Sequence, residues 1–231
     1  MNNNGFLSVL KTAYRDYLNS HRRSNAKLKT LHGKIAEDLQ TRLGTDYNVM
    51  ALGFGDEREA SISGRYMDKR VDISVFRDGQ ELGGVAIKFI MTNYSQNSNN
   101  YFESMLGETA NIRSANKSYF QIIILPEKLP YFDKDDVISK IEVITGNNLG
   151  KYIKLSQDNV SDFMHTPNKT LLYLVKTTDF SSATNRESFK ELMLGNLQIT
   201  LSNKTISVGD ALIYNNYNRF IDKVAHAFMA M

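Results

Sequence analysis

The stretch "YFQIIILP", residues 119–126, restricts the fold more than any other part of the chain. Apart from one glutamine it is continuously apolar, so it lacks the in–out alternation of a strand with one wet face. Such a strand sits inside a sheet that is covered on both faces. The chain has the material to cover it: 231 residues, 42% hydrophobic and 23% charged, suffice for one sizeable core. Only three prolines occur and no Gly/Ser/Pro-rich linker divides the chain, which points to one domain over residues 1–231.

Periodicity supplies the layers. Phe6, Leu10, Tyr14 and Leu18 form one helical stripe, and Leu28, Leu31, Ile35, Leu39 and Leu43 a second, on a helix from about Asn25 that stops at Gly44. "YNVMALGF" reads as a strand. "RVDISVF" (Arg70 to Phe76) reads as the next, with Val71, Ile73 and Val75 on one face, and "RDGQ" has the turn chemistry of a hairpin into "VAIKFI". The amide-rich "TNYSQNSNNY" reads as a turn, with Asn99 or Asn100 capping a helix that reaches about Arg113. Beyond Pro126 the pattern predicts a strand at "TLLYLVKT", a helix at "NRESFKELMLGNL", a hairpin within "LQITLSNKTISV" and a helix from about Tyr214 to Met231. The expected class is α/β, with the order helix, three strands, helix, strand over about residues 25–126.

Composition removes several chemistries. Without cysteine there are no disulfides, thiolate metal sites or cysteine nucleophiles. His21, His32, His165 and His226 show no metal-ligand spacing. "GFGDERE" lacks the lysine and following helix of a P-loop. No apolar run approaches membrane-spanning length, and the amphipathic N-terminus does not read as a signal peptide, so a cytoplasmic protein is expected. The net charge of +3 is uninformative alone, but "HRRSNAKLKTLHGK" (His21 to Lys34) carries five Lys or Arg and no acid. That pattern suits a solvated helix face or a phosphate-contacting stripe.

Strand alternation isolates two charges. In "RVDISVF" Asp72 shares a face with Ser74; in "GVAIKFI" Lys88 shares one with Ala86, opposite Val85, Ile87 and Phe89. A cross-strand ion pair on a wet face is the simplest reading of Asp72 and Lys88. Their setting in the element order, however, resembles the restriction-endonuclease-like superfamily, the PD-(D/E)XK nucleases. That family shares an αβββαβ core with a mixed central sheet flanked by helices. An Asp lies on its second strand and a (D/E)-x-K on its third, here "VDI" and "AIK". The resemblance is to type II restriction enzymes in particular. It implies Mg²⁺-dependent, sequence-specific hydrolysis of double-stranded DNA by a homodimer, with C-terminal recognition or dimerisation elements over about 150–231. A cognate DNA methyltransferase would be a genetic partner only. A catalytically inactive DNA-binding protein of the same fold is the alternative.

By this resemblance Asp72 and Lys88 are catalytic, and Asp72, the Ile87 carbonyl and a second acid hold the metal. Position 86 departs from the pattern, because Ala stands where the family has an acid. Three accounts are open: a carboxylate from the following helix, with Glu103 ahead of Glu108; an inactivating substitution; or a fold that only binds DNA. Glu59, upstream, is a further candidate ligand. Lys69, Arg70 and Arg113 are candidate phosphate contacts, and Asn93, Tyr94, Gln96, Asn97, Asn99 and Asn100 candidate DNA contacts. Amides pair with adenine edges, and Tyr reaches phosphate.

Overall fold

The computed structural model describes residues 1–20, 24–55 and 58–231. Part of the basic stretch His21–Lys34 and of "GFGDERE" therefore lies outside the described residues. The expected buried strand is β6 (Ser118–Pro126), in which every residue after Ser118 is buried. It pairs in parallel with β5 (Gln80–Phe89) on one side and with β9 (Lys169–Thr177) on the other. The main sheet runs β1 (Tyr47–Ala51), β4 (Ile73–Arg77), β5, β6, β9, β10 (Ile199–Leu201). The β1–β4 and β4–β5 pairs are antiparallel, so the sheet is mixed. The β4–β5 turn takes positive φ at Asp78 and Gly79, as the sequence requires of a tight hairpin.

Helices cover both faces. On one, α1 (Asn3–Asn19) and α2 (Ala26–Leu43) bury Phe6, Leu10, Leu31, Ile35 and Leu39 against Val49, Ile73, Val85 and Ile122. α5 (Arg186–Gly195) and α6 (Tyr217–Met229) join this core through Phe189, Met193, Phe220 and Val224. On the other face α3 (Tyr94–Arg113) and α4 (Gly146–Ser156) pack Met105, Leu149 and Tyr152 over Ile123, Leu125 and Leu172. The molecule is thus α/β with a mixed central sheet flanked by helices. Among the described residues no helix is long and apolar enough to cross a membrane.

Several elements differ from the sequence reading. "RVDISVF" is two strands: β3 (Asp68–Val71) ends before Asp72 and pairs with β2 (Ala60–Ser63), while β4 begins after it. Val71 consequently leaves the Ile73 and Val75 face and packs with Ile62, Ala86, Ile112 and Tyr119. The expected hairpin after Leu197 is absent. β10 and β11 (Leu212–Tyr214) instead both line the free edge of β9, one antiparallel and one parallel. The hairpin β7 (Lys128–Phe132)–β8 (Ile138–Val143) and α4 are further elements that the sequence reading did not assign. The C-terminal third is integral to the sheet and core, and the apolar face of α6 is buried within the chain.

Candidate active site

Asp72 interrupts what would otherwise be one long strand. Ile73 lies opposite Val85, and continuing that register would set residue 71 opposite Ile87. The chain turns away instead, and the Ile87 N–H on this edge of β5 donates to Asp72 Oδ2 at 2.6 Å. The N–H and C=O of one strand residue point to the same neighbour, so the Ile87 carbonyl is directed toward the same gap. Lys88, the next residue, alternates away from the core and is half-buried.

The other oxygen of Asp72 faces two groups that arrive from elsewhere. His32 Nδ1 lies 4.0 Å from Asp72 Oδ1 and 3.9 Å from Glu59 Oε1. One ligand atom from each of His32, Glu59 and Asp72 falls within 4.8 Å of the others. These separations are too long for hydrogen bonds. His32 is only 2% exposed, and neither ring nitrogen has a hydrogen-bond partner among the described residues. An orphaned imidazole beside two carboxylates has the donor chemistry to share one divalent cation.

The electrostatics agree. Burial lowers the His32 pKa and favours the neutral, ligating ring; the Asp72 charge opposes this, and Lys88 adds to it. Burial raises the Glu59 carboxyl, the Asp72 charge raises it further, and Arg70 and Lys88 pull it back. Lys88 therefore acts on both His32 and Glu59. No direct ion pair joins Lys88 to Asp72 among the described residues, so the simple cross-strand bridge is not what this geometry contains.

Close backbone packing brings His32 to the strand break. A Cβ on Gly33 would stand 2.5 Å from the Gly53 carbonyl oxygen, so α2 rests directly on the turn after β1. Gly53 has φ +83, a conformation that favours glycine. That contact seats His32 beside the β1–β2 connection from which Glu59 emerges. A cleft of about 740 Å³ opens next to it, with Leu28, Met50, Leu52, Glu59, Ser61 and Arg70 among its lining.

Glu103 does not join this cluster. α3 starts at Tyr94, nine residues earlier than Glu103, so Glu103 lies mid-helix, exposed, with its charge acting on Lys151 of α4. The carboxylate that the structure groups with Asp72 is that of Glu59, and not the expected Glu103. Glu108 pairs with Lys69 Nζ at 2.6 Å and accepts from the Tyr119 hydroxyl at 3.3 Å. Lys69 is accordingly tied to α3, whereas Arg70 is exposed beside the cleft. Ala86 is 4% exposed and packed by Ile62, Val71, Ile112 and Tyr119, a setting that suits a small apolar side chain.

The amide-rich segment is helix and not turn. Asn93, at φ +51, precedes α3 and exchanges side-chain hydrogen bonds with the Phe132 backbone, at 2.8 and 3.1 Å. Glu142 of β8 accepts from the Ser95 N–H at the helix start, which leaves no capping role for Asn99 or Asn100. Tyr94 is buried, with its hydroxyl on the Asn148 carbonyl. Gln96, Asn99 and Asn100 are exposed and Asn97 is partly so; Asn99 accepts from Lys151 at 3.2 Å. Arg113 donates to the carbonyls of Val160, Phe163 and Thr166, which fastens the 159–166 loop and removes it from phosphate contact.

Comparison of the chain with family models, with curated proteins and with solved structures gives no match. The residue that sequence reasoning missed is His32, because ligands drawn from a helix, a loop and a strand break have no linear spacing. A signal was present: His32 stands four residues after Leu28 and three before Ile35, on the apolar stripe of α2.

Proposed function

We propose that the chain is a metal-dependent endonuclease that hydrolyses phosphodiester bonds of double-stranded DNA at a specific sequence, as type II restriction enzymes do. The observation that carries this reading is the junction of Asp72 with Ile87. A carboxylate is fixed at a strand break, Lys88 follows on the neighbouring strand, and Glu59 and His32 stand around the free oxygen. The order α2, β1, β4, β5, α3, β6 supports a restriction-endonuclease-like core, with its antiparallel neighbours followed by a parallel one. β2 and β3 would then be an insertion in that core.

Asp72, Glu59 and the Ile87 carbonyl would hold Mg²⁺ through hard oxygen donors, and the neutral His32 nitrogen extends the set toward ions that accept mixed N/O ligands, such as Mn²⁺. When bound, such an ion stabilises charge on phosphate oxygens and acidifies a coordinated water. The protein's own contribution is orientation. The Ile87 N–H locks one oxygen of Asp72 so that the other keeps a fixed direction. Lys88 offsets charge that develops on the scissile phosphate and orients the attacking water. Glu59 takes the role that the family gives to an acid at position 86. A palindromic target would call for a two-fold dimer.

Incubation with mixed-sequence plasmid DNA, in Mg²⁺, in Mn²⁺ or in EDTA, tests the reading on a gel. Discrete fragments only with metal are expected. A metal-dependent smear would remove sequence specificity, intact DNA that is still bound would favour the silent DNA-binding protein, and neither cleavage nor binding would refute the proposal.

A further inference from the structure

The turn of the β2–β3 hairpin, Gly64 to Met67, joins a fixed backbone to exposed apolar side chains. Asn111 of α3, itself 7% exposed, holds the turn. Its side-chain oxygen accepts from the N–H of Tyr66 at 2.9 Å and of Met67 at 3.3 Å, and its amide donates to the Met67 carbonyl at 2.8 Å. Its backbone carbonyl accepts from the Arg65 N–H at 2.9 Å, and Gly64 N–H closes the turn on Met67 O at 3.2 Å. A Cβ at Gly64 would collide with the Asn111 amide, so glycine is required by the closeness of the clamp. Yet Tyr66 is 74% exposed and Met67 66%, the two most exposed large hydrophobic side chains among the described residues. On a mobile loop such exposure would mean little. On a turn held at five points it presents a surface to a partner.

The position and charge of the turn indicate which partner. β3 runs from the turn straight into Asp72, and at about 3.3 Å per residue Met67 lies about 16.5 Å from it. That is the rise of about four to five base steps. Arg65 stands at the tip with its guanidinium 5.7 Å from the Tyr66 ring centre. Arg70 lies on the outward face of the hairpin opposite Ser61, and both line the cleft beside Glu59; Asp68 and the serines complete that face. A phosphate backbone lying along this face would pass from Arg65 to Arg70 to the metal ligands, with Tyr66 and Met67 directed at the bases. Aromatic rings stack on bases, and apolar side chains including Met wedge between base steps.

We infer that the Tyr66–Met67 turn is a wedge that inserts between base pairs of duplex DNA, about four to five steps from the bond that is cut. This rests on the nuclease reading above. The test is fluorescence anisotropy with a labelled mixed-sequence duplex carrying 2-aminopurine, in EDTA at low salt, comparing the unmodified chain with Tyr66→Ala/Met67→Ala and with Arg70→Ala. Melting temperatures show that each variant folds. The unmodified chain should bind and raise 2-aminopurine emission. The double variant should bind about 5- to 100-fold more weakly, lose the emission change and keep the same salt slope. Arg70→Ala should keep the emission change and lower the slope by about one. Equal binding and emission with and without the tip would overturn the inference while leaving the nuclease reading intact. So would a dimer of the unmodified chain that the double variant turns into a monomer with unchanged DNA affinity, which would make the tip a self-association surface. No DNA binding by any form would overturn the reading and the inference together.

Discussion

Replacing Asp72 by Asn and by Ala separates its structural role from its chemical one. The carboxylate accepts a 2.6 Å hydrogen bond from Ile87, a residue only 5% exposed. Asp72→Ala removes that acceptor and leaves a buried N–H without a partner, which costs about 1.5–3 kcal/mol. For a domain of this size each kcal/mol lowers the melting temperature by about 2–4 °C, so a fall of about 3–12 °C is expected. Asp72→Asn keeps an oxygen facing Ile87 and relieves the repulsion felt by Glu59, so its melting temperature should stay within about 3 °C of the parent. Cleavage should respond differently. On the proposed function both variants lose a charged metal ligand, worth several kcal/mol of transition-state stabilisation, and should cut plasmid DNA at least about 100-fold more slowly in Mg²⁺ or Mn²⁺. The decisive pair of measurements is therefore melting by circular dichroism and initial cleavage rate for the same two proteins. An Asn variant that cuts at the parent rate would remove Asp72 from the metal site. An Ala variant that melts with the parent would show that the Ile87 contact does not hold the strand break.

Lys88→Ala should melt with the parent and cut about 100- to 1,000-fold more slowly, because the ammonium is only half-buried and, in the proposed function, serves the phosphate and not the core; normal cleavage by a folded variant would contradict this. Glu59→Gln should abolish calorimetric Mn²⁺ binding and cleavage, whereas Glu103→Gln, exposed beside Lys151, should leave both unchanged; the reverse order would reinstate the α3 carboxylate. Ala86→Glu would press a carboxylate into the space between Ile62, Val71, Ile112 and Tyr119, and should lower the melting temperature without raising cleavage; a stable, faster variant would show that the position belongs to the site. The His32 pKa is depressed below its ordinary 6.5, so the stability it contributes is present above that pH and is lost as pH falls through its folded-state value. His32→Gln should flatten the fall in melting temperature below about pH 6.5, and an unaltered profile would show that the ring is not held neutral by burial.

The parts of the fold legible in the sequence were those whose signal is local. The continuous apolar run of β6, the stripes of α1, α2 and α6 and the Asp78–Gly79 turn each state their geometry within a few residues. The break at Asp72 was not legible, because "RVDISVF" alternates well enough to read as one strand; only the pairing of β3 with β2 pulls Val71 off the sheet. The amide-rich segment misled for a related reason. Asn and Ser favour turns and caps in isolation, yet here Asn93 and Glu142 fix the helix start further upstream and carry the remaining amides into the helix. Of the candidate site, Asp72 and Lys88 stood out as charges within apolar strands. Glu59 was visible only as one acid in a charged cluster, and His32 was hidden because its partners lie in other elements.

The same contacts bear on why the candidate ligands gather on the side of α2 and not on α3. The face of α3 toward the strand break is occupied by tethering. Glu108 holds Lys69 and Tyr119, Asn111 grips the Gly64–Met67 turn, and Ile112 closes the apolar cluster over Ala86. A carboxylate ligand on that face would have to displace one of these ties. α2 is under no such demand, because Gly33 sits directly on Gly53 and brings His32 to Asp72 from the opposite side. α3 therefore acts as the fixed support of β3, and β3 carries the exposed tip at one end and Asp72 at the other. A substitution that loosens the tie, such as Asn111→Ala, would act on both ends of that strand at once, which links the proposed wedge to the proposed metal site.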